Sequence, residues 1–144
     1  MKSKNILSNV LGIGRKMMKK TTSVKILVVE DDKMLSRALK SALDSEEGFD
    51  SFVVADGLEV YDAVVKIQPD VILLDIILPG MDGFSVLKQL KGDDRLKKIP
   101  VIVLSNLDTP VDVQSAKVLG AEKYILKAKS SLEFIVKEVK NVIK

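Results

Sequence analysis

The chain has 144 residues, enough for one domain with a single hydrophobic core. It contains no cysteine and no histidine, which excludes disulfides, thiolate or imidazole metal sites, cysteine nucleophiles and serine–histidine–aspartate triads. A metal bound by its side chains therefore has oxygen ligands, which favours a hard cation such as Mg²⁺. The lack of cysteine also fits a reducing, cytoplasmic environment.

The net charge of +3 is unevenly distributed along the chain. Residues 1–22 carry six of the 23 basic residues and no acidic residue, so the remainder carries 17 basic against 20 acidic residues and a net charge of −3. We interpret residues 1–22 as a basic, flexible N-terminal extension, with a weak membrane-surface or partner contact as the alternative. Because residues 23–144 form a mildly acidic domain, no direct nucleic-acid binding is expected from it.

Short apolar runs and helical apolar stripes alternate from residue 24 onward. Short apolar runs bounded by turn residues indicate strands of a parallel sheet, and we predict them at residues 25–29, 52–55, 71–75, 101–104 and 123–126. Apolar residues at helical spacing predict helices at residues 34–43, 60–67, 84–90, 110–119 and 132–143. Asp32 is placed to cap the first helix, Pro69 to stop the second, and Pro110 and Gly120 to bound the fourth.

This alternation predicts an α/β fold, a doubly wound (βα)5 domain with a five-stranded parallel sheet. Right-handed crossovers place helices on both faces, and the flavodoxin-like strand order is 2-1-3-4-5. The carboxyl ends of all five strands then share one edge of the sheet. Open α/β folds bind their ligands at that edge, so the residues that follow each strand are the candidate site.

The predicted strand ends carry a set of complementary polar residues. Glu30 and Asp31 follow the first strand, Asp75 ends the third, Ser105 follows the fourth and Lys127 the fifth. Carboxylates brought together repel each other, so such a cluster needs a cation, and a few carboxylates plus water suit Mg²⁺. An adjacent ammonium and hydroxyl would stabilise a multiply charged oxyanion. Together they indicate phosphoryl transfer with an aspartate nucleophile.

Simpler interpretations exist for parts of this set. Asp75 on its own is also typical of a loop aspartate that caps the next turn. The run from Glu30 to Asp32 is also typical of an acidic helix N-terminus, favoured by the helix dipole. The second interpretation explains Asp32 but neither Asp75 nor Lys127. No glycine-rich phosphate-binding loop of the GxxxxGK[ST] or GxGxxG kind offers another phosphate site.

Taken together, the motifs resemble a known family. They are Ile-Leu-Val-Val-Glu-Asp at 26–31, Asp75, Leu-Pro-Gly-Met-Asp-Gly at 78–83, Val-Leu-Ser at 103–105 and Tyr-Ile-Leu-Lys at 124–127. In order and spacing they resemble a bacterial two-component response-regulator receiver domain of the chemotaxis-regulator-like kind. The resemblance covers residues 24–144.

The resemblance implies a phosphorylation site and its metal. Asp75 matches the phosphoacceptor, which receives a phosphoryl group from a sensor histidine kinase or a phosphotransfer protein. Glu30 and Asp31 match the acid pair that binds Mg²⁺ together with Asp75 and the backbone carbonyl of Ile77.

It also implies the residues that respond to phosphorylation. Ser105 matches the hydroxyl that turns toward the phosphoryl oxygens, and Lys127 matches the lysine that pairs with one of them. Tyr124 matches an aromatic whose inward or outward rotamer reports the state of the site; without the resemblance, it is a strand aromatic that simply packs.

The sequence departs from the family pattern at two positions near these residues. The lysine is usually followed by a proline in a cis peptide, whereas Lys127 precedes Ala128. A cis peptide before a non-proline residue costs about 3–4 kcal/mol, which favours a trans bond and a differently shaped loop. Asn106 follows Ser105 where a small alanine is common, and we expect it to crowd the path of Tyr124.

We therefore expect a stand-alone receiver domain that acts as a Mg²⁺-dependent switch on an unknown output protein, and not an enzyme. A second copy of the chain is a further candidate partner, bound in a phosphorylation-dependent dimer. The first alternative is a Mg²⁺-dependent phosphatase or phosphotransferase with an aspartate nucleophile; such enzymes commonly need an acid two residues after the nucleophile, where this chain has Ile77. The second is a degenerate receiver used only for protein docking.

Overall fold

Strands and helices alternate throughout residues 23–144, which a computed structural model describes. The predicted extension over residues 1–22 lies outside the described residues. The strands are β1 (Val24–Val29), β2 (Phe49–Val54), β3 (Val71–Leu74), β4 (Val101–Ser105) and β5 (Lys123–Leu126). The helices are α1 (Lys33–Asp44), α2 (Val60–Ile67), α3 (Gly83–Lys91), α4 (Pro110–Val118) and α5 (Leu132–Val142). Short 3₁₀ turns cover Gly57–Glu59 and Lys127–Lys129.

The five strands form one parallel sheet in the order β2-β1-β3-β4-β5, which confirms the predicted topology. The register pairs Val29 with Leu74 and Ser105 with Leu126. The residues that follow β1, β3, β4 and β5 therefore leave the sheet side by side. None of the helices within residues 23–144 is long and apolar enough to cross a membrane.

Alternate residues of each central strand enter two separate halves of the core, because successive strand side chains point to opposite faces. Leu27 and Val29 belong to the half covered by α2, α3 and α4. Ile26 and Val28 belong to the half covered by α1 and α5. Both faces of β3 and β4 are fully buried, which is why those strands have the continuous apolar runs seen in the sequence.

Polar side chains cap the first turns of α1, α3, α4 and α5. Asp32 accepts hydrogen bonds from the N–H groups of Met34 and Leu35 at 2.9 and 3.1 Å, which confirms its predicted capping role. Thr109 caps α4 in the same way, and Pro110 occupies the first turn, where no intrahelical N–H bond is lost. Gly120, just beyond α4, has a φ of +105° and lets the chain turn toward β5.

Strand β2 begins three residues earlier than the apolar run predicted, at Phe49 rather than Phe52. It lies at the edge of the sheet, where only β1 pairs with it. Polar contacts to α1 hold its first half against the rest of the domain. The buried Ser51 hydroxyl donates to Asp44 Oδ1 at 2.7 Å, and the Ser51 N–H donates to the same oxygen at 2.9 Å. Because Asp50 and Ser51 are polar and interrupt the apolar run after Phe49, hydrophobicity alone does not predict this half of the strand.

A surface cluster of Tyr61, Asp93 and Arg95 links α2 to the segment after α3, and it should make stability depend on pH. The Tyr61 hydroxyl donates to Asp93 Oδ2 at 2.6 Å, and the Arg95 guanidinium contacts both residues. The bond from Tyr61, followed by those from Arg95, lowers the pKa of Asp93 to about 2. A lowered pKa means that the ionised carboxylate stabilises the fold above pH 4 and loses this contribution as the pH falls toward 2.

Tyr61→Phe is therefore expected to raise the pKa of Asp93 toward its ordinary value and to weaken the pH dependence of stability between pH 2 and 4. Titration of the Asp93 carboxyl by NMR measures the first effect, and urea unfolding across that pH range measures the second. The pKa of Glu138, lowered by its bond to Lys123 on another surface, is an internal control that should not move. An unchanged Asp93 pKa would contradict the prediction.

Candidate functional site

Three carboxylates converge at the carboxyl edge of the sheet, as predicted from the strand ends. Oxygens of Glu30, Asp31 and Asp75 all lie within 4.8 Å of one another. Glu30 and Asp75 are only 2% and 4% exposed, whereas Asp31 is exposed to solvent. The pairing of Val29 with Leu74 puts Glu30 and Asp75 at the same level of the sheet.

Lys127 reaches this cluster from the end of β5. Its ammonium lies 2.6 Å from Asp75 Oδ2 and 2.7 Å from Glu30 Oε1. Burial lowers the pKa of Lys127, but the contacts with the two carboxylates outweigh it, so that pKa lies above its ordinary value. The lysine is therefore charged at neutral pH and bridges two carboxylates contributed by different strands.

The cluster holds more negative charge than the lysine neutralises. Glu30 Oε2 accepts the Asp32 N–H at 3.0 Å, and the buried Oε1 faces the Lys127 ammonium at 2.7 Å with no other polar partner within the described residues. Burial raises the pKa of Glu30, with the nearby Asp75 carboxylate adding to the effect and Lys127 opposing it. Three converging carboxylates, two of which share a single lysine, fit the oxygen-only ligand set of a hard divalent cation.

The Ile77 backbone was the fourth predicted metal ligand. Its N–H donates a long bond of 3.3 Å to Asp75 Oδ1, so the backbone of this residue lies against the acid cluster. Its side chain is 62% exposed. The role of its carbonyl oxygen stays a prediction.

Ser105 and Tyr124 lie on the neighbouring strands β4 and β5. Ser105 is fully buried, and its Oγ accepts the Leu107 N–H at 3.2 Å. The half-buried Tyr124 donates its hydroxyl to the Leu107 carbonyl at 2.7 Å, and burial raises the pKa of that hydroxyl. The two predicted switch residues thus meet at Leu107, whose backbone both of them bind.

The loop after Lys127 has the trans backbone that the sequence favoured. There is no cis peptide bond within residues 23–144, and Lys127 opens a 3₁₀ turn. The side-chain oxygen of Asn106 accepts the Ala128 N–H at 3.0 Å. The sequence indicated that both positions were unusual, but it did not indicate that they bind each other.

Gly83 packs against the backbone of the segment that carries Asp75. In the sequence it stood out only as the last residue of the motif at 78–83. Its N–H donates to the Ile76 carbonyl at 2.7 Å, and α3 begins at this residue. A Cβ added there would lie 2.3 Å from the Asp75 carbonyl oxygen and 2.6 Å from Ile76 Cα. Both are backbone atoms, so any side chain at residue 83 displaces the segment that carries Asp75.

Gly83→Ala is accordingly expected to reduce the free energy of unfolding by about 2–3 kcal/mol, the cost of overpacking a rigid position. Gly92→Ala is the matched control, because Gly92 has an ordinary helical φ of −83°. The nearest atom to a Cβ added there, the Lys88 carbonyl oxygen, lies 3.1 Å away. Urea unfolding of both variants measures the difference. Equal stability losses would contradict the proposed backbone overlap.

Comparison with known proteins adds an independent line of evidence. The response regulator receiver domain family matches residues 26–140. The DNA-binding response regulator MtrA of Mycobacterium tuberculosis is 37% identical over 117 residues, which cover 81% of this chain and 50% of that protein. The chain thus spans about half the length of the curated relatives it matches.

Solved structures agree with this. The phosphorylated cyanobacterial phytochrome response regulator RcpA aligns with a TM-score of 0.73 at 34% identity, covering 83% of this chain and 91% of that one. The Mn²⁺-bound form of response regulator Rcp1 aligns with a TM-score of 0.71 at 31% identity, with the same coverage. The chain belongs to the receiver domain family of two-component response regulators.

Proposed function

We propose that residues 23–144 form a receiver domain that is phosphorylated on Asp75 by a sensor histidine kinase or a phosphotransfer protein. The observation that carries the proposal is the position of Asp75 at the carboxyl end of β3, bound to Lys127 at 2.6 Å and grouped with Glu30 and Asp31. An aspartate carboxylate in this setting is an acceptor for a phosphoryl group.

In the proposed step an Asp75 carboxylate oxygen attacks the phosphorus of a phosphohistidine. A phosphorus–oxygen bond forms, the phosphorus–nitrogen bond breaks, and the departing imidazole nitrogen keeps the electron pair. The product is an aspartyl phosphate on Asp75. Lys127, already charged and in contact with Asp75, neutralises one of the phosphoryl oxygens, and its position requires little reorganisation.

Glu30, Asp31 and Asp75 would hold a Mg²⁺ ion, with the carbonyl of Ile77 as the fourth protein ligand. When bound, the ion supplies positive charge to the phosphoryl oxygens. The convergence of the three carboxylates supports this assignment, as does the relative Rcp1, which has been solved with Mn²⁺.

Phosphorylation would then act on Ser105 and Tyr124 through Leu107. Ser105 Oγ leaves the Leu107 N–H to bind a phosphoryl oxygen, and the segment that also accepts the Tyr124 hydroxyl moves with it. That local change biases the surface formed by α4, β5 and α5 between two states, which an output protein or a second copy of the chain reads. We infer a cytoplasmic switch whose only reactions are its own phosphorylation and dephosphorylation.

The test is Mg²⁺-dependent labelling with acetyl phosphate, followed by intact-protein mass spectrometry and size-exclusion chromatography. We expect the mass to increase by one phosphoryl group, the increase to require Mg²⁺, and hydroxylamine to remove the group, as expected for an acyl phosphate. No labelling of the folded protein would refute the proposal. Turnover of a simple phosphomonoester would instead favour a phosphatase.

A further inference from the structure

We propose that Asn106 is a positioning residue for phosphoryl transfer: its side chain joins the loop after β4 to the loop after β5 and thereby sets the reach of Lys127 toward Asp75. The inference rests on the proposed function and deepens it. It assigns a role to a residue that touches neither the acid cluster nor Lys127 Nζ.

The contact is a single, well-formed hydrogen bond between two loops. Ala128 donates its N–H to Asn106 Oδ1 at 3.0 Å across 22 residues of sequence. Asn106 directly follows Ser105, and Ala128 directly follows Lys127. Because Ser105 pairs with Leu126 in the sheet, the two loops leave adjacent strands at the same level. The bond therefore joins the backbone of the residue after the lysine to the residue after the buried serine.

The solvent-exposed Ala128 N–H has no partner within its own turn. The segment Lys127–Lys129 is a 3₁₀ turn closed by a long bond of 3.3 Å from the Ser130 N–H to the Lys127 carbonyl. The first N–H groups of such a turn have no partner within it. Asn106 supplies the missing acceptor, so its side chain holds a turn whose own hydrogen bonding is weak.

Both chemical groups in the bond depend on residue choices that are unusual for the family. A proline at residue 128 would have no N–H to donate. An alanine at residue 106 would have no side-chain oxygen to accept it. The sequence departs from the family pattern at both positions, and the structure brings the two departures into contact. We therefore interpret them as a pair that holds the lysine loop by a side-chain bond.

Lys127 is the first residue of this turn, so the position of the turn affects the position of the lysine. Its ammonium lies 2.7 Å from Glu30 and 2.6 Å from Asp75, while its backbone lies between the end of β5 and the turn. Loss of the Asn106 bond lets the turn move relative to the sheet. Small displacements of a charged group at a reaction centre slow the reaction strongly.

The experiment compares Asn106→Ala with wild type, Ala128→Pro and the double variant. We expect amide exchange at Ala128 to become about tenfold faster in Asn106→Ala, and phosphorylation of Asp75 by acetyl phosphate with Mg²⁺ to slow about threefold to tenfold, the range of one lost hydrogen bond. In the Ala128→Pro background, which lacks the N–H, Asn106→Ala should have no further effect on the rate. Asn141→Ala is the control, since Asn141 binds only Glu138 on α5 among the described contacts.

NMR of the Lys127 ammonium reports its position without phosphorylation. In wild type we expect its protons to exchange slowly, because they are held by Asp75 and Glu30, and in Asn106→Ala to exchange faster. Faster exchange at Ala128 with unchanged Lys127 protons and an unchanged rate would overturn the positioning role. Unchanged Ala128 exchange would overturn the bond itself. Failure of wild type to accept a phosphoryl group would refute the proposed function, while the Lys127 signal would still decide whether Asn106 positions the lysine.

Discussion

Replacing Asp75 with asparagine is expected to abolish phosphoryl incorporation from acetyl phosphate and from a phosphorylated histidine kinase. An amide nitrogen and a carbonyl oxygen do not supply the anionic oxygen that attacks phosphorus, whereas the side-chain shape is nearly unchanged. The variant also removes one negative charge from a cluster of three carboxylates, two of which contact one lysine. We therefore expect the folded protein to persist with undiminished stability, so that loss of labelling reports chemistry rather than unfolding.

Asp82→Asn is the matched control for this substitution. Asp82 lies in the same β3–α3 connection and caps α3 by accepting the Ser85 N–H at 3.0 Å. Asparagine caps helices about as well as aspartate, so this variant should label like wild type. Labelling of Asp75→Asn to the wild-type extent would show that another residue accepts the phosphoryl group. Intact-protein mass and peptide mapping distinguish these results.

Replacing Lys127 with alanine is expected to have the second large effect, on stability. The Lys127 side chain is 15% exposed, and the side chains of Glu30 and Asp75 that it contacts are 2% and 6% exposed. Removing one partner of a buried ion pair leaves an uncompensated charge, and we expect the free energy of unfolding at pH 8 without divalent cations to fall by about 3 kcal/mol. Equilibrium urea unfolding in the presence of a chelator measures it.

Two further arms separate the charge effect from a simple loss of packing. Saturating Mg²⁺ should restore part of the stability of Lys127→Ala, because a cation bound to the native acid cluster stabilises the folded state. Adding Asp75→Asn to Lys127→Ala should also reduce the loss of stability, since one of the two carboxylates left without a lysine is then replaced by a neutral amide. Lys97→Ala, which breaks an exposed pair with Asp94, should change stability by less than about 1 kcal/mol. Equal losses for both lysine variants would contradict the buried-charge argument.

The topology and most of the acid cluster could be predicted because they depend on local patterns. Buried parallel strands require continuous apolar runs, and the residues that end those runs share one edge by the rules of right-handed crossovers. Glu30, Asp31, Asp75 and Lys127 were therefore predicted to converge, and the structure brings them together. The start of β2 was wrong by three residues, because at the edge of the sheet polar contacts at Ser51 replace apolar burial.

The contacts made by Ser105 and Tyr124 needed the structure. The sequence placed both residues beside the site, but their shared engagement of Leu107 depends on how the loop after β4 folds back toward β5. Gly83 is a similar case. Residue 83 must be glycine because the Asp75 carbonyl oxygen would lie 2.3 Å from a Cβ there. No local sequence pattern predicts so close a contact between two backbone segments.

Apolar periodicity and strand ends are local properties of the chain, so they were enough to predict the strands, the helices and the groups at the carboxyl edge of the sheet. How those groups are held depends instead on tertiary packing. The two ion pairs of Lys127 and the bond from Ala128 to Asn106 all join residues from different βα units. Such contacts depend on distances of a few tenths of an ångström between loops far apart in sequence, which only packing around the common core can set.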